Sequence, residues 1–118
     1  MEPTPESYFL ETLFGNLNEA SIRYAVMRNY ASLPYSSGGS DLDILICPDD
    51  KERTRVAIFQ AVREACGAVL GVTESFGFLK VHVIGRTSDP AGLWWGLSVD
   101  IYVGLYFRGN KLLNIADE

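Results

Sequence analysis

Two aspartates separated by one residue open the most informative stretch of this chain. Asp41 and Asp43 precede the apolar run Ile44-Leu45-Ile46-Cys47, which is typical of a strand. On a strand, side chains at i and i+2 point to the same face, with Cα atoms about 6.6 Å apart. Such a pair can bridge two metal ions about 3.5–4 Å apart, the arrangement used in phosphoryl and nucleotidyl transfer. The pair therefore offers the hypothesis of a metal site that acts on a phosphate.

Small residues stand immediately before the acidic pair. The segment Ser36-Ser37-Gly38-Gly39-Ser40 allows backbone N–H groups to approach a phosphate, because its glycines carry no side chain. We expect Gly38, Gly39 and Ser40 to lie beside the phosphates of a bound nucleotide. No Gly-Lys-Ser or Gly-Lys-Thr follows, so the segment is not a P-loop. Ordinary turn chemistry is the alternative explanation for two adjacent glycines.

A third carboxylate, Asp100, lies in the apolar segment Leu97-Ser98-Val99-Asp100-Ile101-Tyr102-Val103. An unpaired carboxylate is costly to bury in such a strand. Asp100 therefore needs a metal ion, a proton, or a salt bridge to an arginine or lysine. For the first pair, the alternative is structural: Asp41 would cap the glycine turn and Asp43 would be solvated at a sheet edge.

Hydrophobic periodicity predicts the elements that must position these acids. The predicted order is helix, strand, strand, helix, strand, strand, strand, which indicates an α/β (α+β) fold with a mixed sheet of about five strands and helices packed against it. Lys80 and Arg86 are expected to be solvated charges at strand ends. The predicted helices cover about 5–19 and the segment from Pro48 to a C-terminal cap at Gly67; the predicted strands cover about 22–28, 42–47, 68–74, 78–85 and 94–107.

Composition limits the possible partners and locations. A chain of 118 residues fits one domain over 1–118, and the end at Asp117-Glu118, just after a strand-and-turn pattern, indicates a piece of a longer protein. The net charge of −5 argues against nucleic-acid binding, which needs a clustered positive field. No apolar run reaches the roughly 18 residues of a membrane span. Cys47 and Cys66 are expected to be buried free thiols, and with no secretory signal they indicate the cytoplasm.

The order of these features resembles the nucleotidyltransferase superfamily, typified by DNA polymerase beta and the aminoglycoside nucleotidyltransferases. In that superfamily a helix and a first strand ending in Gly-Ser precede a loop, an Asp-x-Asp pair opens the second strand, and a later strand supplies a third Asp. The closest resemblance is to bacterial nucleotidyltransferase-like domains with an Arg-Asn-Tyr…Leu-Pro segment, here 28–34, before the acidic pair. The chain departs from the superfamily because Arg28-Asn29 replaces Gly-Ser.

The resemblance implies a nucleotidyltransferase-like core over about 5–115. It implies that Asp41, Asp43 and Asp100 hold two Mg²⁺ or Mn²⁺ ions, and that Arg28 and Asn29 contact phosphate. The expected reaction moves a nucleoside monophosphate from a nucleoside triphosphate, such as ATP, to the hydroxyl of a small molecule or sugar, or to a protein. Two alternatives remain: a catalytically degenerate module of the same fold that binds nucleotide or a partner protein, and a toxin–antitoxin-type nucleotidyltransferase.

Overall fold

The protein folds as helices packed on one face of a mixed β-sheet, as the sequence predicted. A computed structural model describes residues 5–27, 41–86, 94–104, 106–107 and 110–111. Within these residues the helices are α1 (Pro5–Glu19) and α2 (Lys51–Glu64), and a 3₁₀ turn at Pro48–Asp50 leads into α2. No helix in these ranges is both long and apolar enough to cross a membrane.

The sheet has five strands in the order β1-β2-β5-β4-β3. Its one parallel pairing joins β2 to β5, and the other three neighbouring pairs are antiparallel. Two further short strands pair with each other as a separate ribbon. The strands are β1 (Tyr24–Val26), β2 (Leu42–Ile46), β3 (Ala68–Ser75), β4 (Phe78–Arg86), β5 (Trp94–Val103), β6 (Tyr106–Phe107) and β7 (Asn110–Lys111).

Alternate side chains of the central strands build the core under the two helices. Phe9, Leu10, Leu13 and Leu17 recur at helical spacing on α1 and are fully buried. They join the strand residues of the same hydrophobic cluster, namely Leu42, Ile44, Ile46, Leu79, Val81, Val83, Leu97, Val99 and Ile101. Because side chains alternate along a strand, Asp43, Lys80 and Asp100 point to the opposite face of the sheet.

Both helices end in the same backbone motif, and neither uses glycine at its left-handed position. Cys66 after α2 and Ser21 after α1 have φ values of 55° and 57°. The Gly67 N–H donates to the carbonyl of Val62 at 2.8 Å, which is the outer bond of a Schellman motif. The prediction that Gly67 takes the capping position was therefore wrong by one residue. Cys66 takes the left-handed conformation, and Gly67 follows it.

Several predicted boundaries and exposures also differ from the structure. The first strand covers only Tyr24–Val26, and the last long strand ends at Val103. A bend at Gly104, whose φ is 52°, follows that strand, so it does not run on to 107. Both cysteines are free, as predicted, but Cys66 is exposed and Cys47 is only partly buried.

Candidate functional site

Asp43 and Asp100 come together on the sheet face opposite the helices. β2 and β5 pair in parallel with Asp43 directly opposite Asp100. Both residues are almost excluded from solvent, with exposed fractions of 1% for Asp43 and 4% for Asp100. Neighbouring strands lie about 4.8 Å apart, and like charges that face each other across a sheet destabilise it. The arrangement therefore brings two buried acidic side chains face to face.

The burial of Asp43 decides one alternative left open by the sequence. A structural strand-entry role required Asp43 to be solvated at a sheet edge. Instead, β2 lies between β1 and β5, and every residue of β2 is buried. The solvated-edge interpretation was wrong.

Two side chains contact the Asp100 carboxylate from its own sheet face. The Ser98 hydroxyl, two residues earlier on β5, donates a hydrogen bond of 2.7 Å to Oδ1 of Asp100. The Lys80 ammonium lies 3.8 Å from Oδ2, and β4 places Lys80 directly across from Asp100. Ser98 thus fixes one oxygen, while the other faces a cation. The salt bridge considered for Asp100 from the sequence is present, with Lys80 as the partner.

The pKa of Asp100 is raised from its ordinary value, and burial is the largest cause. The hydrogen bond from Ser98 and the charge of Lys80 act in the opposite direction and favour the carboxylate. The charges of Asp41 and Asp43 raise the pKa further. All three predicted acids therefore interact electrostatically, although Asp41 precedes β2 and is exposed.

The remaining predicted site residues, Arg28, Asn29, Gly38, Gly39 and Ser40, lie outside the described residues. Of the predicted site, the structure thus describes the three aspartates. It brings Asp43 and Asp100 into direct cross-strand register and leaves Asp41 at the solvent-exposed start of β2.

The donor chemistry of this site suits a hard divalent cation. Carboxylate oxygens are the ligands that Mg²⁺ and Mn²⁺ prefer, and a cation would offset the negative charge of two buried carboxylates. Asp43 and Asp100, with Asp41 at the rim, are the residues that could hold it. Within the described part of the chain, no three His, Cys, Asp or Glu side chains are grouped so that they could hold a metal ion. A cation would therefore draw its remaining ligands from water or substrate.

Sequence reasoning missed two residues of the site. Ser98 had a usable signal, because the spacing Ser98-Val99-Asp100 puts the hydroxyl and the carboxylate on one face of a strand. Lys80 had no such signal in the sequence, because its place beside Asp100 depends on the register between β4 and β5. The expectation that Lys80 is a solvated strand-end charge was wrong: it lies within β4, and its side chain is only 30% exposed.

Two surface grooves lie away from the acids. One, of about 260 Å³, runs between the helices beside Asn16, Arg53 and Val56. The other, of about 240 Å³, is lined by residues that include Lys51 and Phe76. Neither groove is lined by any of the three aspartates.

Comparison with known proteins does not extend this description. No model of a known protein family matches the chain, and no curated protein sequence matches it. The functional argument therefore depends on the site itself.

Proposed function

We propose that the protein is a metal-dependent nucleotidyltransferase that moves a nucleoside monophosphate from a nucleoside triphosphate to a hydroxyl acceptor. The observation that carries the proposal is the register of Asp43 and Asp100, two buried carboxylates placed opposite each other on parallel strands. Two acids brought together away from solvent are costly unless cations or hydrogen-bond donors compensate them. A cation ligand makes the same arrangement favourable.

Each aspartate has a distinct part in this proposal. Asp43 and Asp100 would hold Mg²⁺ or Mn²⁺ from two neighbouring strands, and Asp41 would complete the carboxylate set from the solvent side. Bound there, the metal would neutralise phosphate charge and make an acceptor hydroxyl more acidic. Ser98 orients Asp100 by donating to Oδ1, and Oδ2, which faces Lys80, would be the oxygen offered to the metal. Arg28, Asn29, Gly38, Gly39 and Ser40 are proposed to contact the phosphates, as the sequence predicted.

The proposed acceptor is a small molecule or sugar, with a protein as the third possibility. The chain carries a net charge of −5 and so lacks the positive field that draws nucleic acids. A nucleotide remains compatible with this charge, because the metal ion brings positive charge of its own.

Calorimetric titration with the four nucleoside triphosphates, each with Mg²⁺ or Mn²⁺, tests the proposal. We expect metal-dependent binding to the wild type and its loss in the Asp43→Asn/Asp100→Asn variant, which keeps the shape of both side chains. Asp49→Asn is the matched control, since Asp49 is an exposed acid on the 3₁₀ turn. Binding that survives in the double variant, or no binding to a folded wild type, would contradict the proposal.

One observation favours the second candidate, a non-catalytic module of the same fold. The Lys80 ammonium lies 3.8 Å from Asp100 and already supplies part of the positive charge that a metal would bring. A degenerate module would bind nucleotide or a partner protein without turnover. In the titration it would bind a triphosphate equally well with and without divalent metal, which separates the two candidates.

A further inference from the structure

Lys80 is a described cation that forms an ion pair with the buried Asp100. Its Nζ lies 3.8 Å from Oδ2 of Asp100, which is beyond hydrogen-bond distance. Its cross-strand neighbours on the same face are Asp100 on β5 and Thr73 on β3. The Lys80 side chain is 30% exposed, whereas that of Asp100 is 6% exposed. The ammonium is therefore loosely held and lies between the buried acids and solvent.

We propose that Lys80 binds the phosphates of the nucleotide, and that Asp100 holds its ammonium only until a metal ion binds. This inference rests on the proposed function and adds to it a substrate-binding residue on β4. A divalent cation on Asp43 and Asp100 would compete with Lys80 for Oδ2 and would repel its ammonium. The four-carbon stem of lysine then allows the ammonium to turn to a phosphate at the solvent side of the site.

The charges of the site support this exchange of partners. Lys80 forms an ion pair with Asp100, and Asp43 lies beside Asp100 on the neighbouring strand. Once a divalent cation neutralises the carboxylates, the ammonium lacks a counter-charge on this side. A triphosphate carries several negative charges and would supply it, since lysine binds phosphate as a compact point charge.

The proposal makes an unusual prediction, because one substitution changes two affinities in opposite directions. Lys80→Met keeps much of the side-chain length and removes the charge. Metal affinity should rise several-fold, because the competing cation is gone. Polyphosphate affinity should fall about tenfold, the loss expected for one hydrogen bond to a charged group. A lysine that merely supports the fold would not separate these two affinities.

The test measures Mn²⁺ binding by calorimetry and, at saturating Mg²⁺, the binding of inorganic tripolyphosphate, which presents phosphates without a base. Lys80→Arg retains the charge and should restore polyphosphate binding to within about threefold of wild type. Lys51→Met is the matched control, because Lys51 is also a half-buried lysine paired with a carboxylate, that of Glu74 at 2.8 Å. Circular dichroism confirms that each variant is folded.

The outcomes separate this inference from the proposed function. A folded wild type that binds neither Mn²⁺ nor tripolyphosphate would overturn the proposed function, and the role of Lys80 with it. A wild type that binds both, with a folded Lys80→Met variant that does not shift the two affinities in opposite directions, would overturn the role of Lys80 alone. If Lys80→Met fails to fold, polyphosphate binding to Lys80→Gln decides in the same way.

Discussion

Asp43 and Asp100 lie directly opposite each other on the two parallel strands of an otherwise antiparallel sheet. Their side chains share the face away from the helices, so they cannot separate without breaking the pairing of β2 with β5. The protein thus holds two buried carboxylates together by its backbone. The fold itself keeps these two acids together, and the stability of the metal-free protein should reflect the cost of burying them.

Replacement of Asp100 by asparagine should stabilise the metal-free protein at neutral pH. Because burial raises the folded-state pKa of Asp100, the folded state binds a proton more tightly than the unfolded chain. Stability should therefore fall as the pH rises from about the ordinary pKa of 3.8 through the raised value. Asp100→Asn removes this loss. With a chelator present, the thermal midpoint of the variant should exceed that of wild type at pH 8, but not at pH 3.

The exposed acid Asp49 provides the control for this experiment. Asp49→Asn should leave the pH dependence of the thermal midpoint unchanged, because Asp49 is solvated on the 3₁₀ turn. An Asp100→Asn variant that is less stable than wild type at pH 8 would show that the contacts from Ser98 and Lys80 outweigh the cost of burial.

Loss of the Ser98 hydroxyl should have the opposite effect on stability. Ser98 is buried and donates to Oδ1 of Asp100. Ser98→Ala leaves a buried carboxylate oxygen without this donor, which should lower the free energy of unfolding by about 2 kcal/mol. Urea denaturation at pH 8 measures the change. Ser75→Ala, at an exposed position on β3, should cost little; an equal loss in both variants would argue against a specific role for Ser98.

The C-terminus of α2 offers a pair of substitutions with opposite expected signs. Cys66 has a φ of 55°, a conformation that costs a residue with a side chain roughly 1–2 kcal/mol. Cys66→Gly should therefore raise the free energy of unfolding by about 1 kcal/mol. At the next position, Gly67→Ala should lower it, because the new Cβ would lie 2.7 Å from the carbonyl oxygen of Ile84. Chemical denaturation of both variants checks the pair, and a shared sign would refute this account of the helix end.

An ion-pair network between α2 and β3 should make a small contribution that depends on salt. Hydrogen bonds from Lys51 and then Arg55 lower the pKa of Glu74 from its ordinary value of 4.5. The stabilisation is therefore present above pH 4.5 and is lost as the pH falls through the lowered pKa. Glu74→Gln should lower the thermal midpoint slightly at pH 7, and the difference should disappear in 1 M salt. Glu64→Gln, on the exposed end of α2, is the control; a difference that persists in salt would contradict the assignment.

The sequence predicted the elements of this fold better than their ends. The periodicity of Phe9, Leu10, Leu13 and Leu17 is a local property, and α1 was predicted with its observed bounds. The first strand was predicted to begin too early because Ile22 belongs to the capping motif after α1, where its N–H donates to the carbonyl of Leu17. Helix caps of this kind depend on backbone geometry, which residue types signal only weakly when the left-handed residue is not glycine.

The site was predicted as a set of residues but not as an arrangement. The spacing of Asp41 and Asp43, and the isolation of Asp100 in an apolar strand, singled out the three acids. Nothing local in the sequence places Asp43 opposite Asp100, or Lys80 beside it, because both relationships arise from pairing between strands distant in the chain. That pairing is decided by tertiary packing.

The parallel pairing of β2 with β5 should also be one of the later contacts to form during folding. The segments that carry Asp43 and Asp100 are separated along the chain by α2, β3 and β4. Contacts between such distant segments close a long loop and tend to form late. Nascent chains released before β5 would have the first aspartates but no partner for them. The cation affinity proposed for this site should therefore arise only when the sheet is complete, and it would then report that the fold is finished.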